Sequence, residues 1–159
     1  MTGYSDIHYA CDHRWWNEYH ERIKNHKCVK ITPSEKAAQE FKLDHIKAEY
    51  GRGLNKKRWT VNCGMNSGYQ AINLAYQLGA KEIYLLGFDM QRTNGQSHFH
   101  GDHPKGWANG GDYPDWIKRL VDLAVDLRNE GVKVVNCSRQ TALYCFDKST
   151  IEDVIKCLM

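Results

Sequence analysis

The spacing of apolar residues changes several times along this chain, and each change marks a new element. DIHYACD, residues 6–12, reads as a short strand, and HRWWNEYHERIKN after it sets Trp16, Tyr19 and Ile23 on one helical face with Asp12 as N-cap. CVKIT, residues 28–32, predicts a second strand, followed by the helix PSEKAAQEF with Pro33 at its first position, where a missing N–H is no loss. HIKAEYG, residues 45–51, predicts a third strand, and residues 51–64, GRGLNKKRWTVNCG, read as a polar, basic linker. In the helix NSGYQAINLAYQLG that comes next, Gln70, Asn73 and Gln77 form one narrow polar stripe and nearly everything else is apolar. Such a helix is predicted to be packed on most sides, and Gly79 supplies its stop.

KEIYLLGFD then carries a continuous apolar run from Ile83 to Phe88, the pattern of a central parallel strand covered on both faces. Residues 90–111 show no periodicity, and a loop of that length in so short a chain is usually functional. DYPDWIKRLVDLAVDLRNEG is an amphipathic helix with Ile117, Leu120, Val121, Ala124 and Leu127 inward and Gly131 at its end; VKVVNC is another strand. STIEDVIKCLM closes the sequence as a helix with a capping box from Ser149 to Glu152. Strand and helix alternate throughout, so the fold class is α/β: a three-layer Rossmann-like sandwich with a mainly parallel sheet, in a single domain over residues 1–159.

Composition narrows the function classes. A chain of 159 residues with 42% apolar content can bury a core without help from disulfides or metal. Six scattered cysteines with no C-x-x-C pair point to a reducing, cytoplasmic setting, the host cytoplasm if the chain is viral. No window approaches the roughly 18 apolar residues of a membrane span, so a membrane partner is not expected. A net charge of +3 is too mild for a dedicated nucleic-acid binder, while a small anionic ligand is easily accommodated.

Candidate chemistry lies at four places. HFHGDHP, residues 98–104, has the H-x-H-x-D-H string that opens the metal site of metallo-β-lactamase-type hydrolases. That site needs further histidines downstream, and His103 is the last in the chain, so a dinuclear hydrolase is excluded. Three readings stay open: a single divalent metal held by this loop through His100 and His103, a histidine-rich surface loop, or a loop that delivers one histidine as acid or base. CGMNSGYQ, residues 63–70, sets Gly64, Asn66, Ser67 and Gly68 where the chain turns into a helix, whose free N–H groups and positive dipole end suit a phosphate or carboxylate. Arg58 and the lysines beside it are candidates to close over that anion, against the plainer reading of a solvated loop and a simple cap. Asp89 falls at the carboxyl edge of the apolar strand, placed to bind a ribose hydroxyl, hold a metal, orient a histidine or start a turn. Asn136 and Ser138, after the last main strand, are placed to read a base or sugar, or to make ordinary turn chemistry.

Taken in series, GMNSGYQAINLAYQLGAKEIYLLGFDM, GQSHFHGDHP and VKVVNCSRQTALYCF resemble bacterial CMP-sialic-acid-dependent sialyltransferases. They resemble more closely a group of short phage proteins and the 6-hydroxymethylpterin diphosphokinase-like domain family, which share the same Rossmann core. The likeness covers roughly residues 60–147. It implies that Ser67 and Gly68 contact a nucleotide, that His98 is the general base on an acceptor hydroxyl, and that NCSRQTAL lies against the base or ribose. An imidazole suits that role, since its pKa lies near neutrality. The sequence departs from these families in lacking the usual first strand and its glycine-rich loop, as if it began one βα unit late.

The expectation is a nucleotide or nucleotide-sugar binding protein resembling a glycosyltransferase, with no certain cofactor beyond that ligand. One alternative is a non-catalytic phage protein that sequesters a nucleotide or cyclic nucleotide signal; another is a metal-dependent phosphotransferase. Trp15 and Trp16 near an open sheet edge suggest a homodimer.

Overall fold

The computed structural model describes residues 5–98, 101, 103–107 and 110–158. Among these residues the chain is mixed α/β, with small parallel sheets and five helices, and it divides into two compact units. The first comprises Met1–Gly51 with Asn55–Gln77, the second Arg52–Leu54 with Leu78–Met159. No helix among the described residues is long and apolar enough to cross a membrane.

In the first unit β1 (Ile7–Tyr9), β2 (Val29–Thr32) and β3 (Asp44–His45) form a parallel sheet in that order; β4 (Lys47–Glu49) and β5 (Thr60–Asn62) form a parallel pair. A single residue, Ile46, separates β3 from β4, and its N–H bonds Thr32 O at 3.0 Å. The predicted third strand is thus two short ones, pairing first with β2 and then with β5. Strand β5 lies inside the segment read as a linker. Only Val61 in it is apolar, while Thr60 and Asn62 are buried polar residues, so no alternation marks it.

Helices α1 (His13–Ile23) and α2 (Glu35–Phe41) share one apolar cluster built on Ala10, Trp16, Ile23 and Ala37. Trp16 is fully buried there, and its indole N–H is satisfied by Ala10 O at 3.0 Å. Helix α3 (Ser67–Gln77) contributes Leu74 to a second cluster with Ile31, Ile46 and Val61. The caps differ from the expected ones. Asp12 occupies the N-cap of α1 without a side-chain cap bond, and α2 is capped by Ser34, which accepts from Ala37 N, leaving Pro33 just outside the helix.

In the second unit β6 (Glu82–Leu85), β7 (Lys133–Asn136) and β8 (Asp147–Lys148) form a parallel sheet with β7 in the middle. The apolar run predicted as one strand to Phe88 stops at Leu85. Leu86 is 62% exposed, and Gly87, at φ 73°, turns the chain away. Helix α4 (Tyr113–Asn129) begins at the cap Asp112, which accepts from Asp115 N, and buries Leu120, Leu123, Ala124 and Leu127. After it, Gly131 at φ 69° lets Val132 N reach Leu127 O, the turn that ends so many helices in glycine. Helix α5 (Ile151–Leu158) is capped one residue later than expected: Thr150 Oγ1 accepts from Asp153 N at 3.1 Å and donates to its carboxylate.

Candidate functional site

In the first unit, the carboxyl ends of β1 and β5 are joined through the start of α3. Gly64 (φ 54°) and Met65 (φ 57°) are consecutive left-handed residues that turn the chain from β5 into the helix. A side chain at Gly64 would run into the Tyr69 ring, so the turn requires glycine twice over. Asn66 then caps α3 by accepting from Tyr69 N at 3.1 Å. Ser67 Oγ lies 2.9 Å from Cys11 Sγ, just past the end of β1. Thus Gly64, Asn66, Ser67 and Gly68 come together as one helix N-terminus at the carboxyl ends of parallel strands, where orphan N–H groups and the helix dipole favour an anion.

The thiol beside it is a poor nucleophile. Burial, opposed only partly by the bond to Ser67, pushes Cys11 up to about 11, so it is a neutral packing group near pH 7. Burial likewise raises the Tyr9 phenol, whose hydroxyl donates to Gln70 Oε1. Gln70 returns a bond to Cys63 O at 2.8 Å, tying strand to helix.

Arg58 does not share this place. It lies in the turn before Thr60, at the amino end of β5, whereas Gly64–Gly68 follows the carboxyl end. Lys57 is paired with Glu49 at 2.9 Å; that bond and the one from Lys47 hold the Glu49 carboxyl at about 2.

The polar stripe of α3 has a use the sequence does not advertise. Asn73 Oδ1 accepts from Asn55 N at 3.0 Å, and Gln77 bonds both Trp59 N and Asn55 O. The Asn55 side chain bonds Asn62 and Glu49 in turn. Only the i, i+3, i+7 spacing of Gln70, Asn73 and Gln77 could have signalled this buried seam.

In the second unit the carboxyl edge of the sheet is closed by a network around Asn136, Ser138 and Thr141. Phe88 N donates to Ser138 Oγ at 2.7 Å, and Phe88 O accepts from Thr141 Oγ1 at 2.7 Å and from Asn136 Nδ2 at 3.3 Å. Asn136 Oδ1 accepts from Ser138 N at 3.0 Å. Asn136 is fully buried, so its side chain holds the loop after β6. Asp89 works in the same direction: its carbonyl accepts from Ala142 N at 2.8 Å and its carboxylate from Thr93 Oγ1 at 3.2 Å.

Beyond Asp89 the loop contains a tight hairpin that the sequence reading missed. Thr93 and Gln96 exchange both backbone bonds at 3.0 Å across Asn94 (φ 52°) and Gly95 (φ 78°). T-N-G-Q was the available signal, since Asn-Gly is the preferred pair for a two-residue turn with both φ values positive. His98 follows directly, partly buried, its ring centroid 4.3 Å from that of His103, which in turn lies 5.6 Å from Trp107. His100 and Asp102 lie outside the described residues. Among the described residues no three metal-ligating side chains gather.

No protein-family model matches this chain, and neither a curated protein nor a solved structure shows significant similarity to it.

Proposed function

We propose that this chain is a Rossmann-like three-layer protein that binds a nucleotide or nucleotide sugar, with its phosphate at the N-terminus of α3. The observation that carries the reading is the Gly64–Met65 turn, which brings Asn66, Ser67 and Gly68 to the carboxyl ends of β1 and β5. Open α/β sheets take their ligands at that edge, and helix N-termini there take phosphates. The serial resemblance of three sequence blocks to sialyltransferases and phage proteins supports the same ligand class and gives His98 the role of base toward an acceptor hydroxyl. A non-catalytic reading, capture of a nucleotide signal, is favoured by one observation: Asp89, Asn136 and Ser138 spend their side chains on internal bonds.

A thermal-shift screen over nucleotides, nucleotide sugars and cyclic dinucleotides tests the binding. A ligand at 100 times its Kd adds about 2.7 kcal/mol of stability, and Gly68→Asp, which sets a carboxylate at the phosphate position, should abolish the shift. Absence of any shift across the screen would sink the reading. Turnover separates the two forms of it. Donor consumption lost in His98→Ala with binding retained supports the transferase; ligand returned intact on denaturation supports capture.

A further inference from the structure

The hairpin after Asp89 and the start of α4 enclose an open groove of about 550 Å³, a size suited to a small molecule. Met90, Tyr113, Pro114 and Ile117 make its surface mainly apolar, Gly110 keeps part of the wall free of side chain, and among the described residues Arg92 is the only charged one lining it. The walls are built rather than loose. Arg92 immediately precedes the doubly bonded Thr93–Gln96 turn, which Asp89 anchors through Thr93. On the other side Trp116 meets the Tyr113 ring edge-on at 5.6 Å, and its tip fills the space that a side chain at Gly111 would need.

We propose that this groove binds an aromatic monoanion, its flat ring against Tyr113, Pro114 and Ile117 and its carboxylate on Arg92. Carbon-lined walls that include an aromatic ring favour a flat apolar body. A guanidinium is a planar fork matched to a two-oxygen anion, and the one positive charge among the described lining residues matches a single negative one. All residues involved belong to the second unit, so the inference stands apart from the nucleotide reading of α3.

The test titrates the full chain with 4-hydroxybenzoate and indole-3-acetate, and with their neutral methyl esters, while NMR follows the Ile117 methyl and Tyr113 ring resonances. Both acids should shift those resonances and bind more tightly than their esters. Arg92→Gln should weaken the acids by about tenfold or more, the size of one charge-assisted contact, while leaving the esters unchanged. Ile117→Glu, a half-buried position at the groove wall, should weaken acids and esters alike. The proposal is overturned if the acids leave Ile117 and Tyr113 unshifted, or if the preference for acid over ester survives in Arg92→Gln.

Discussion

Asn73 and Asn136 are both completely buried, one in each unit, and they use the same side chain to different ends. Asn73 projects from the middle of α3 and accepts the backbone N–H of Asn55, so it fastens an irregular segment to a helix inside a core. Asn136 ends β7, and its side chain bonds the loop groups Phe88 O, Thr141 Oγ1 and Ser138 N at the carboxyl edge of a sheet. A buried amide must have its partners, because an unpaired one loses about 1–3 kcal/mol. In the first case that demand decides how the chain packs. In the second it decides how the loop leading to Arg92 and His98 is held.

The strongest way to break this contrast is to remove both amides in turn. Asn73→Leu strands the Asn55 N–H and should lower unfolding free energy by about 2–4 kcal/mol in urea titrations. Asn136→Leu should cost less globally but accelerate amide exchange at residues 86–93, where its loop partners lie. If the two variants lose equal stability and neither changes exchange in that loop, the distinction between core fastening and loop fastening is wrong.

A smaller effect sharpens the loop side of the comparison. Gly95→Ala adds a side chain where φ is 78° with open space around it, so only the backbone preference is lost, about 1 kcal/mol. Amide exchange at Thr93 and Gln96 should rise while the urea midpoint moves little. An unchanged exchange rate at both amides would mean that the hairpin is not held by this turn.

The smallest expected effect belongs to the core side and to pH. His8 stacks on Trp15 at 4.8 Å between centroids and meets Trp16 edge-on; its Nε2 is buried with no hydrogen-bond partner among the described residues. Burial first, then the charges of Lys30 and His26, lower its pKa below the ordinary 6.5. The fold therefore holds His8 neutral, and the unfolded chain takes up the proton first as pH falls. Stability should be full above pH 6.5 and decline below it, through the lowered folded value, by well under about 1.4 kcal/mol per pH unit because the ring is only half-buried. Comparing Tm between pH 7 and pH 5 in the wild type and in His8→Leu checks this. An identical pH dependence in both would remove His8 as a contributor.

Much of the fold was legible because periodicity reports burial. The alternation of strand and helix, the inward face of α4, the stop at Gly131 and the helix start at Asn66–Ser67 all follow from local residue types that act within one or two turns. Strand β5 was not legible, since its buried positions include Thr60 and Asn62, and a buried polar residue looks like a solvated one until its partner is known. The end of β6 was misjudged for the complementary reason: Leu86 is apolar yet exposed, because Gly87 has already turned the backbone. Of the candidate site, the glycine turn and Asn66 cap of α3 could be read directly, and the Thr93–Gln96 hairpin could have been. The placing of Arg58 at the far end of β5 could not, because the strand that separates it from Gly64 carries only one apolar residue, Val61, and reads as linker.

By itself, then, the sequence determined the class of the protein and the positions where its chain must turn, since those rest on backbone preferences that each residue carries with it. Only the tertiary structure decided which polar side chains are inside. Gln70, Asn73 and Asn136 became fasteners because partners distant in sequence, Tyr9, Asn55 and Phe88, reach them in the fold, and a hydrogen bond has no existence until both of its ends have been placed.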